Sequence, residues 1–314
     1  MGVNLSTSIG KVQLKNPVLV ASGTFGHAKE FERFMDLRRL GAIVTKTITV
    51  KPRLGNPPQR IVETPSGMLN AIGLQNPGVE GFITDKLPYL RKIGVPLFVS
   101  VMGYSTAEIA EVVGRLESEG GIDGYELNLS CPNVSYAAKV GSVSHARMFA
   151  HDPELVRQAV SACRAVTSRT LIAKLGPDVS DIGLIAEAAE SAGADAIALI
   201  NTFVAMVVDV ERRVPVLANK TGGLSGPCVR PIAVRLTWEA KKRVRIPVIG
   251  IGGIRNAKDA LEFLIVGACA VQVGTANFMN PAAPIEVLEG LEKHLKQRKI
   301  PALTDVIGSL KDRA

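Results

Sequence analysis

The chain has 314 residues and a formal net charge of +8, with 46% hydrophobic and 21% charged residues. That composition excludes a disordered chain and supports a large buried core. No apolar run reaches the roughly 18 residues of a membrane helix, and the opening MGVNLSTSIGKVQLKNP lacks the basic-then-apolar layout of a signal peptide. A soluble, cytoplasmic protein with no membrane partner is expected. The four cysteines, Cys131, Cys163, Cys228 and Cys269, form no C-x-x-C pair, which argues against a metal site or an iron–sulfur cluster held by this chain alone. Lys and Arg are spread along the chain. The short run Lys241, Lys242, Arg243 and Arg245 falls near a predicted helix end, where cations suit the helix dipole. No nucleic-acid partner is expected.

In chain order, Leu5–Leu14 reads as a small hairpin turning at Ile9-Gly10, placed to plug a barrel bottom. Eight short apolar runs follow: Pro17–Ser22, Gly41–Thr47, Pro96–Met102, Gly124–Ser130, Thr170–Gly176, Ala196–Thr202, Pro247–Gly253 and Ala270–Thr275. Near-continuous hydrophobicity predicts parallel strands buried on both faces. Amphipathic segments lie between most of them: Thr106–Glu119, Pro153–Ser168, Asp181–Ala192, Val229–Arg243 and Ala257–Val266. Asp152 before Pro153 is a helix start signal. This alternation predicts a (β/α)8 TIM barrel, read as one domain over 1–314. Residues 48–95 and Phe203–Pro227 are too long for simple connections, and long loops after barrel strands usually belong to the active-site face.

Residues at the carboxyl ends of barrel strands point into the site. Here those ends carry Ser22-Gly23-Thr24, Lys46-Thr47, Asn128 with Ser130-Cys131-Pro132-Asn133, Lys174, Asn201-Thr202, Gly250-Ile251-Gly252-Gly253 and Gly274-Thr275. Gly252, Gly253, Gly274 and Thr275 suit a phosphate, because glycine lets the backbone approach an anion and barrels often hold phosphate after strands seven and eight. A buried lysine must be paired or neutral. Lys46 and Lys174 therefore face either an anionic ring or a barrel glutamate. Asn-x-x-Cys-Pro-Asn sets two carboxamides about a thiol. Carboxamides grip planar amides and imides, and an accessible thiolate can act as a base. Cys163 and Cys269 read as small core hydrophobes. Cys228 is given no role.

The strings SGTFG (22–26), TKT (45–47), ETPSGMLNAIGLQNPG (63–78), ELNLSCPN (126–133), KLGPDV (174–179), LINT (199–202), TGGLSGP (221–227), GIGGI (250–254) and VGTANF (273–278) resemble the class 1 dihydroorotate dehydrogenases. They run in order through nearly the whole chain, and the 63–78 stretch is most like the FMN-containing class 1B catalytic subunit. The resemblance implies oxidation of dihydroorotate to orotate in pyrimidine biosynthesis. Cys131 takes a proton from C5, and hydride passes from C6 to FMN. Lys46 is the second catalytic residue and lies near both flavin and orotate. Asn70, Ala71, Ile72, Gly73, Leu74, Asn128, Asn133, Asn201 and Thr202 hold the pyrimidine. Ser22, Lys46, Thr47, Asn128, Lys174, Ile200 and Gly226 contact FMN, with Gly252, Gly253, Gly274 and Thr275 on its phosphate side.

The resemblance further implies a homodimeric core associated with a partner subunit that carries FAD and a [2Fe–2S] cluster and passes electrons to NAD⁺. The alternatives are a fumarate-linked class 1A enzyme and a related flavin barrel acting on uracil or thymine. Three features depart from the family pattern. The loop Val134–His151 is longer and lacks a glycine pair. Ser100, assigned to the flavin, replaces an Asn. Ala205 and Lys220 stand where Gly is expected.

Overall fold

Eight short strands form where the sequence is apolar on both faces: β1 (Val18–Val20), β2 (Ala42–Val44), β3 (Leu97–Val101), β4 (Gly124–Asn128), β5 (Thr170–Leu175), β6 (Ala196–Leu199), β7 (Val248–Ile251) and β8 (Ala270–Val273). This is the arrangement of a computed structural model, which describes residues 2–130 and 149–312. The strands pair in parallel, each with the next in the chain, and β8 returns to β1, closing the barrel. The expected (β/α)8 architecture is the one observed.

Side chains alternate between two environments, as the period of a strand requires. Outward residues such as Val18, Val20, Tyr125 and Leu127 pack under the helices. Inward residues Leu19, Ala42, Phe98, Ile172 and Ile249 form a separate core inside the barrel. Ile9 and Leu14 of the N-terminal hairpin belong to that inner core, so the hairpin closes the amino-terminal end of the barrel. Its strands are Thr7–Ile9 and Val12–Leu14. The turn falls one residue later than expected, at Gly10-Lys11. Ile9 is buried and pairs with Val12, and Gly10 adopts the left-handed φ of 55°.

The helices follow the sequence signals closely. Asp152 caps Pro153–Arg164 by accepting from the Glu154 amide, and Asp181, Ser105 and Asn256 cap Ile182–Ser191, Thr106–Glu117 and Ala257–Ile265 in the same way. One long helix, Ala283–Arg298, was not in the sequence reading. Its Val287, Leu288, Leu291 and Leu295 are buried, a helical spacing already present in the sequence.

The two long connections meet. Ile61–Thr64 and Gly67–Asn70 form a hairpin within 48–95, and Phe203–Ala205 and Gly222–Ser225 arise within the second connection. Together they make a four-stranded antiparallel sheet, in which Asn70 faces Gly223. Residues 48–95 also contain two short helices, Gly78–Asp85 and Leu87–Ile93. The buried Asn76 pins this connection. Its carboxamide accepts from the Thr49 and Gly78 amides and donates to Thr49 Oγ1 and the Leu74 carbonyl.

Candidate active site

A cavity of about 640 Å³ lies at the carboxyl ends of the strands. Leu224, Ser225, Met68 and Asn70 from the four-stranded sheet contribute to its wall. Most of the sequence-predicted residues line it: Ser22, Lys46, Thr47, Asn70, Ile72, Gly73, Leu74, Asn128, Lys174, Ile200, Asn201, Thr202, Gly226, Gly252, Gly253, Gly274 and Thr275. Segments more than 250 positions apart in the chain thus converge on one space.

A chain of hydroxyls and carboxamides ties the strand ends together. Thr47 Oγ1 lies 3.1 Å from Ser22 Oγ and 2.9 Å from Ser100 Oγ, and it accepts from Asn128 Nδ2 at 3.2 Å. Asn201 Nδ2 donates to Asn128 Oδ1 at 3.1 Å and to the Ser130 carbonyl at 3.1 Å. The Thr202 amide donates to Asn201 Oδ1 at 2.9 Å. These bonds fix carboxamide orientation, because each amide end has a stated partner. The network spans the ends of β1, β2, β3, β4 and β6.

Among the described residues, two predicted ones do not reach the cavity. Ser100 is fully buried behind Thr47, so any influence on a ligand passes through the Thr47 hydroxyl. Ala71 is also fully buried; its amide donates to Arg60 O and its carbonyl accepts from Asn56 Nδ2. Strand pairing decided the first and a loop contact the second. The adjoining backbone differs. Gly73 and Leu74 have φ of 74° and 55°, and the carbonyls of Ile72, Gly73 and Leu74 accept from the Asn56 amide, Arg53 Nε and Asn76 Nδ2. The loop's carbonyls are thus spent on the protein.

The lysines behave differently from each other. Lys46 lines the cavity beside Gly23. Lys174 lines the cavity too, but its Nζ lies 3.3 Å from Glu126 Oε1. The barrel glutamate and the cavity are therefore not exclusive uses of this residue.

Glycine is required at the far wall. Gly253 has φ of 72°, and a Cβ there would fall 2.8 Å from the Gly226 carbonyl and 2.7 Å from Arg230 Cβ. Arg230 begins the helix Arg230–Arg243, so this glycine packs against the N-terminal end of a helix. Thr275 Oγ1 donates to Ser225 Oγ at 2.8 Å. The cradle is narrow, backbone-lined and placed at a helix start, which suits an anion.

Sequence reasoning missed three cationic or titratable groups on the wall: His27, Arg53 and Lys86. Arg53 lies over the Tyr104 ring, 5.1 Å from its centroid. His27 is pushed down to about 4, first by burial and then by Lys86 and Lys46, with Glu30 opposing. It is neutral at pH 7. Its adjacency to SGTFG was a usable signal, whereas nothing in the Pro/Gly-rich stretch marked Arg53 or Lys86. No Asp or Glu lines the cavity among the described residues. With Lys46, Arg53 and Lys86 on the wall, the described lining is net positive, which favours anions.

Of the cysteines, Cys163 is buried, and burial pushes its thiol up to about 12; Cys269 is raised to about 12 for the same reason. Both suit the core role. Cys228 is half-buried, with Sγ 3.8 Å from the Ser225 carbonyl. Cys131 and Asn133, with most of the Val134–His151 loop, lie outside the described residues. Ser130, the residue before Cys131, is buried and held by Asn201.

The two expected glycine positions resolve differently. Ala205 sits in a strand opposite Gly222, an extended conformation that accepts a Cβ. Lys220 has φ of 66°, the left-handed region that glycine favours. A side chain there costs about 1–2 kcal/mol, and glycine gives back part of that through unfolded-chain entropy. Lys220→Gly is expected to stabilise the fold by about 0.5 kcal/mol, read as a higher urea midpoint at unchanged slope. A lower midpoint would show that the lysine side chain outweighs its backbone cost.

The family model described as dihydroorotate dehydrogenase matches residues 4–295. Among similar proteins, the dihydroorotate dehydrogenase B (NAD(+)) catalytic subunit of Trichlorobacter lovleyi is 51% identical over 306 residues, covering 98% of each chain. The protein of the same description from Pelobacter propionicus is 47% identical, covering 99% of each, and that from Thermoanaerobacter pseudethanolicus is 48% identical, covering 98% of this chain and 99% of its own. A solved structure of DHODH from Eimeria tenella, in complex with ferulenol, shares the fold with a TM-score of 0.78. It is 24% identical and covers 98% of this chain and 88% of its own. With this match along nearly its whole length, and with the strand-end residues gathered at one cavity, the chain belongs to the dihydroorotate dehydrogenase family.

Proposed function

We propose that this protein oxidises dihydroorotate to orotate, using bound FMN, and passes the electrons to NAD⁺ through a partner subunit. One observation carries the reading beyond family membership: a cavity with no Asp or Glu among its described lining residues, in which three lysines, four asparagines and a cradle of glycines converge. Dihydroorotate offers a carboxylate and a cyclic imide, and these groups match lysine and carboxamides respectively.

The residues present fit FMN. The cavity falls within the about 300–1,000 Å³ of small-molecule sites. The wall at Gly252, Gly253, Gly274 and Thr275 lines the cavity, and packing against Gly226 and Arg230 keeps Gly253 without a side chain, so bare backbone is available to a phosphate. Ser22, Thr47, Lys174, Ile200 and Gly226 hold the rest of the cofactor. When bound, the flavin supplies the acceptor for the hydride leaving C6. The chain's own residues do the remaining work. Cys131, following Ser130 at the end of β4, takes the proton from C5. Lys46, Asn70, Asn128, Asn133, Asn201, Thr202 and the amides of Ile72 to Leu74 orient the ring and its carboxylate. The Thr47–Asn128–Asn201 chain keeps two of those carboxamides aimed before substrate arrives, which lowers the entropic cost of the reactive geometry.

The relatives above are named as catalytic subunits of NAD(+)-linked enzymes. A second subunit bearing FAD and a [2Fe–2S] cluster, joined to a homodimer of this chain, accounts for that link. The cysteines of this chain offer no ligand set of the C-x-x-C type. No helix among the described residues is long and apolar enough to cross a membrane.

The test is turnover by the purified chain with an artificial dye as electron acceptor, comparing dihydroorotate with dihydrouracil. Dihydroorotate turnover with a flavin spectrum is expected, with NAD⁺ reduction appearing after the partner subunit is added. Turnover of dihydrouracil alone would sink the reading. Efficient fumarate reduction by the isolated chain would replace the NAD⁺ link.

A further inference from the structure

Below the cavity, the barrel interior holds a charge that the proposed chemistry does not use. Glu126 projects inward from β4 and has 0% exposure. Its Oε1 lies 3.3 Å from Lys174 Nζ on the neighbouring β5, and its Oε2 accepts a 2.7 Å hydrogen bond from Gln272 Nε2. Gln272 stands on β8, on the opposite side of the ring from β4, so this bond crosses the barrel. Lys174 is 5% exposed and lines the cavity.

Stability does not account for this layer. Barrel interiors are ordinarily filled by branched apolar side chains, and Leu19, Phe98, Ile172 and Ile249 form such an apolar core here. A buried ion pair pays a desolvation cost that apolar residues of the same volume avoid. Gln272 Oε1 also lacks a hydrogen-bond partner among the described residues. A charged pair beside a ligand cavity does act on the ligand, because a low dielectric lets its field reach several ångströms.

We propose that Glu126 is a positioning residue: anchored by Gln272, it holds the Lys174 ammonium at the cavity wall and sets the net charge that a bound flavin ring meets. The proposal rests on the FMN reading above. With Glu126 in place the two charges largely cancel, and Lys174 serves as a directed donor. Without the carboxylate, an uncompensated cation stands beside the ring. That cation favours the electron-rich reduced flavin over the oxidised one. Without the lysine, an uncompensated carboxylate does the opposite.

The experiment is a spectroelectrochemical titration of the FMN-loaded full-length chain. Glu126→Gln keeps shape and removes charge. It is expected to raise the reduced-to-oxidised ratio at fixed potential about tenfold, which is about 30 mV for a two-electron couple. Lys174→Met is expected to shift the potential downward, and the double variant to return toward the wild-type value. A purely structural role would not give opposite signs that cancel. An unshifted potential in E126Q, or shifts of the same sign in both single variants, overturns the proposal while leaving the FMN reading intact. Wild-type protein that takes up no flavin overturns the reading and the proposal together. If E126Q does not fold, Gln272→Met removes the anchor at similar volume and is expected to shift the same potential; no shift there overturns the proposal.

Discussion

Replacing Cys131 with serine is expected to slow dihydroorotate oxidation by about 10²- to 10⁴-fold near neutral pH, the range contributed by a positioned general base. Flavin binding is expected to persist, because the cofactor groups proposed above come from other strand ends. A thiol ionises near pH 8.5 in the absence of perturbation, whereas a serine hydroxyl ionises far less readily. The base form of the variant is therefore scarce at pH 7 and grows with pH, so activity is partly recovered in alkali. A pH profile of turnover with a dye acceptor, on protein whose visible spectrum shows bound flavin, measures this. Unchanged turnover would remove Cys131 from the chemistry. The structural support is local: Ser130 is buried and bonded through its carbonyl and hydroxyl to Asn201, which fixes where the chain leaves the barrel on its way to Cys131.

Replacing Lys46 with alanine is expected to weaken dihydroorotate binding and slow flavin reduction together. A charge-assisted hydrogen bond contributes about 1.5–3 kcal/mol, so about a ten- to hundredfold rise in KM is expected, with a further fall in kcat. Lys46 stands at the end of β2, next to Thr47, in a wall without carboxylates among the described residues. The neighbouring cations Arg53 and Lys86 share that wall and attract the anion, but neither lies on a barrel strand. Stopped-flow reduction of the bound flavin separates the two effects. Normal binding and normal reduction would make Lys46 a structural residue.

Buried parallel strands announce themselves, because both faces must be apolar, and all eight runs became barrel strands. Helix starts were equally plain where a capping side chain precedes the periodic run, as at Asp152 and Asp181. Polar residues placed just beyond apolar runs gave the strand-end part of the cavity wall: Lys46-Thr47, Asn128, Lys174, Asn201-Thr202 and Gly274-Thr275 all line it. The N-terminal plug was also legible, since Ile9 and Leu14 flank a glycine turn. The helix Ala283–Arg298 is likewise written in its apolar spacing.

Other features were not local properties. The four-stranded sheet joins Asn70 to Gly223 and Phe203 to Leu224. Its strands have three or four residues, too few for a period to show, and they become strands by pairing with segments distant in the chain. That sheet brings Met68, Asn70 and Leu224 to the cavity. Neither the seclusion of Ser100 behind Thr47 nor the spent backbone of Ala71 was visible beforehand, since both depend on what neighbouring strands and loops present. The sequence alone determined that the chain is a barrel, which residues stand at its strand ends, and that each of the two lysines there, Lys46 and Lys174, meets either a glutamate or a ligand. Tertiary structure decided that Lys174 meets Glu126 at the cavity wall, with Gln272 bonding across the barrel. The physical reason is that local sequence sets which face a side chain occupies, while closure of the ring sets what it faces.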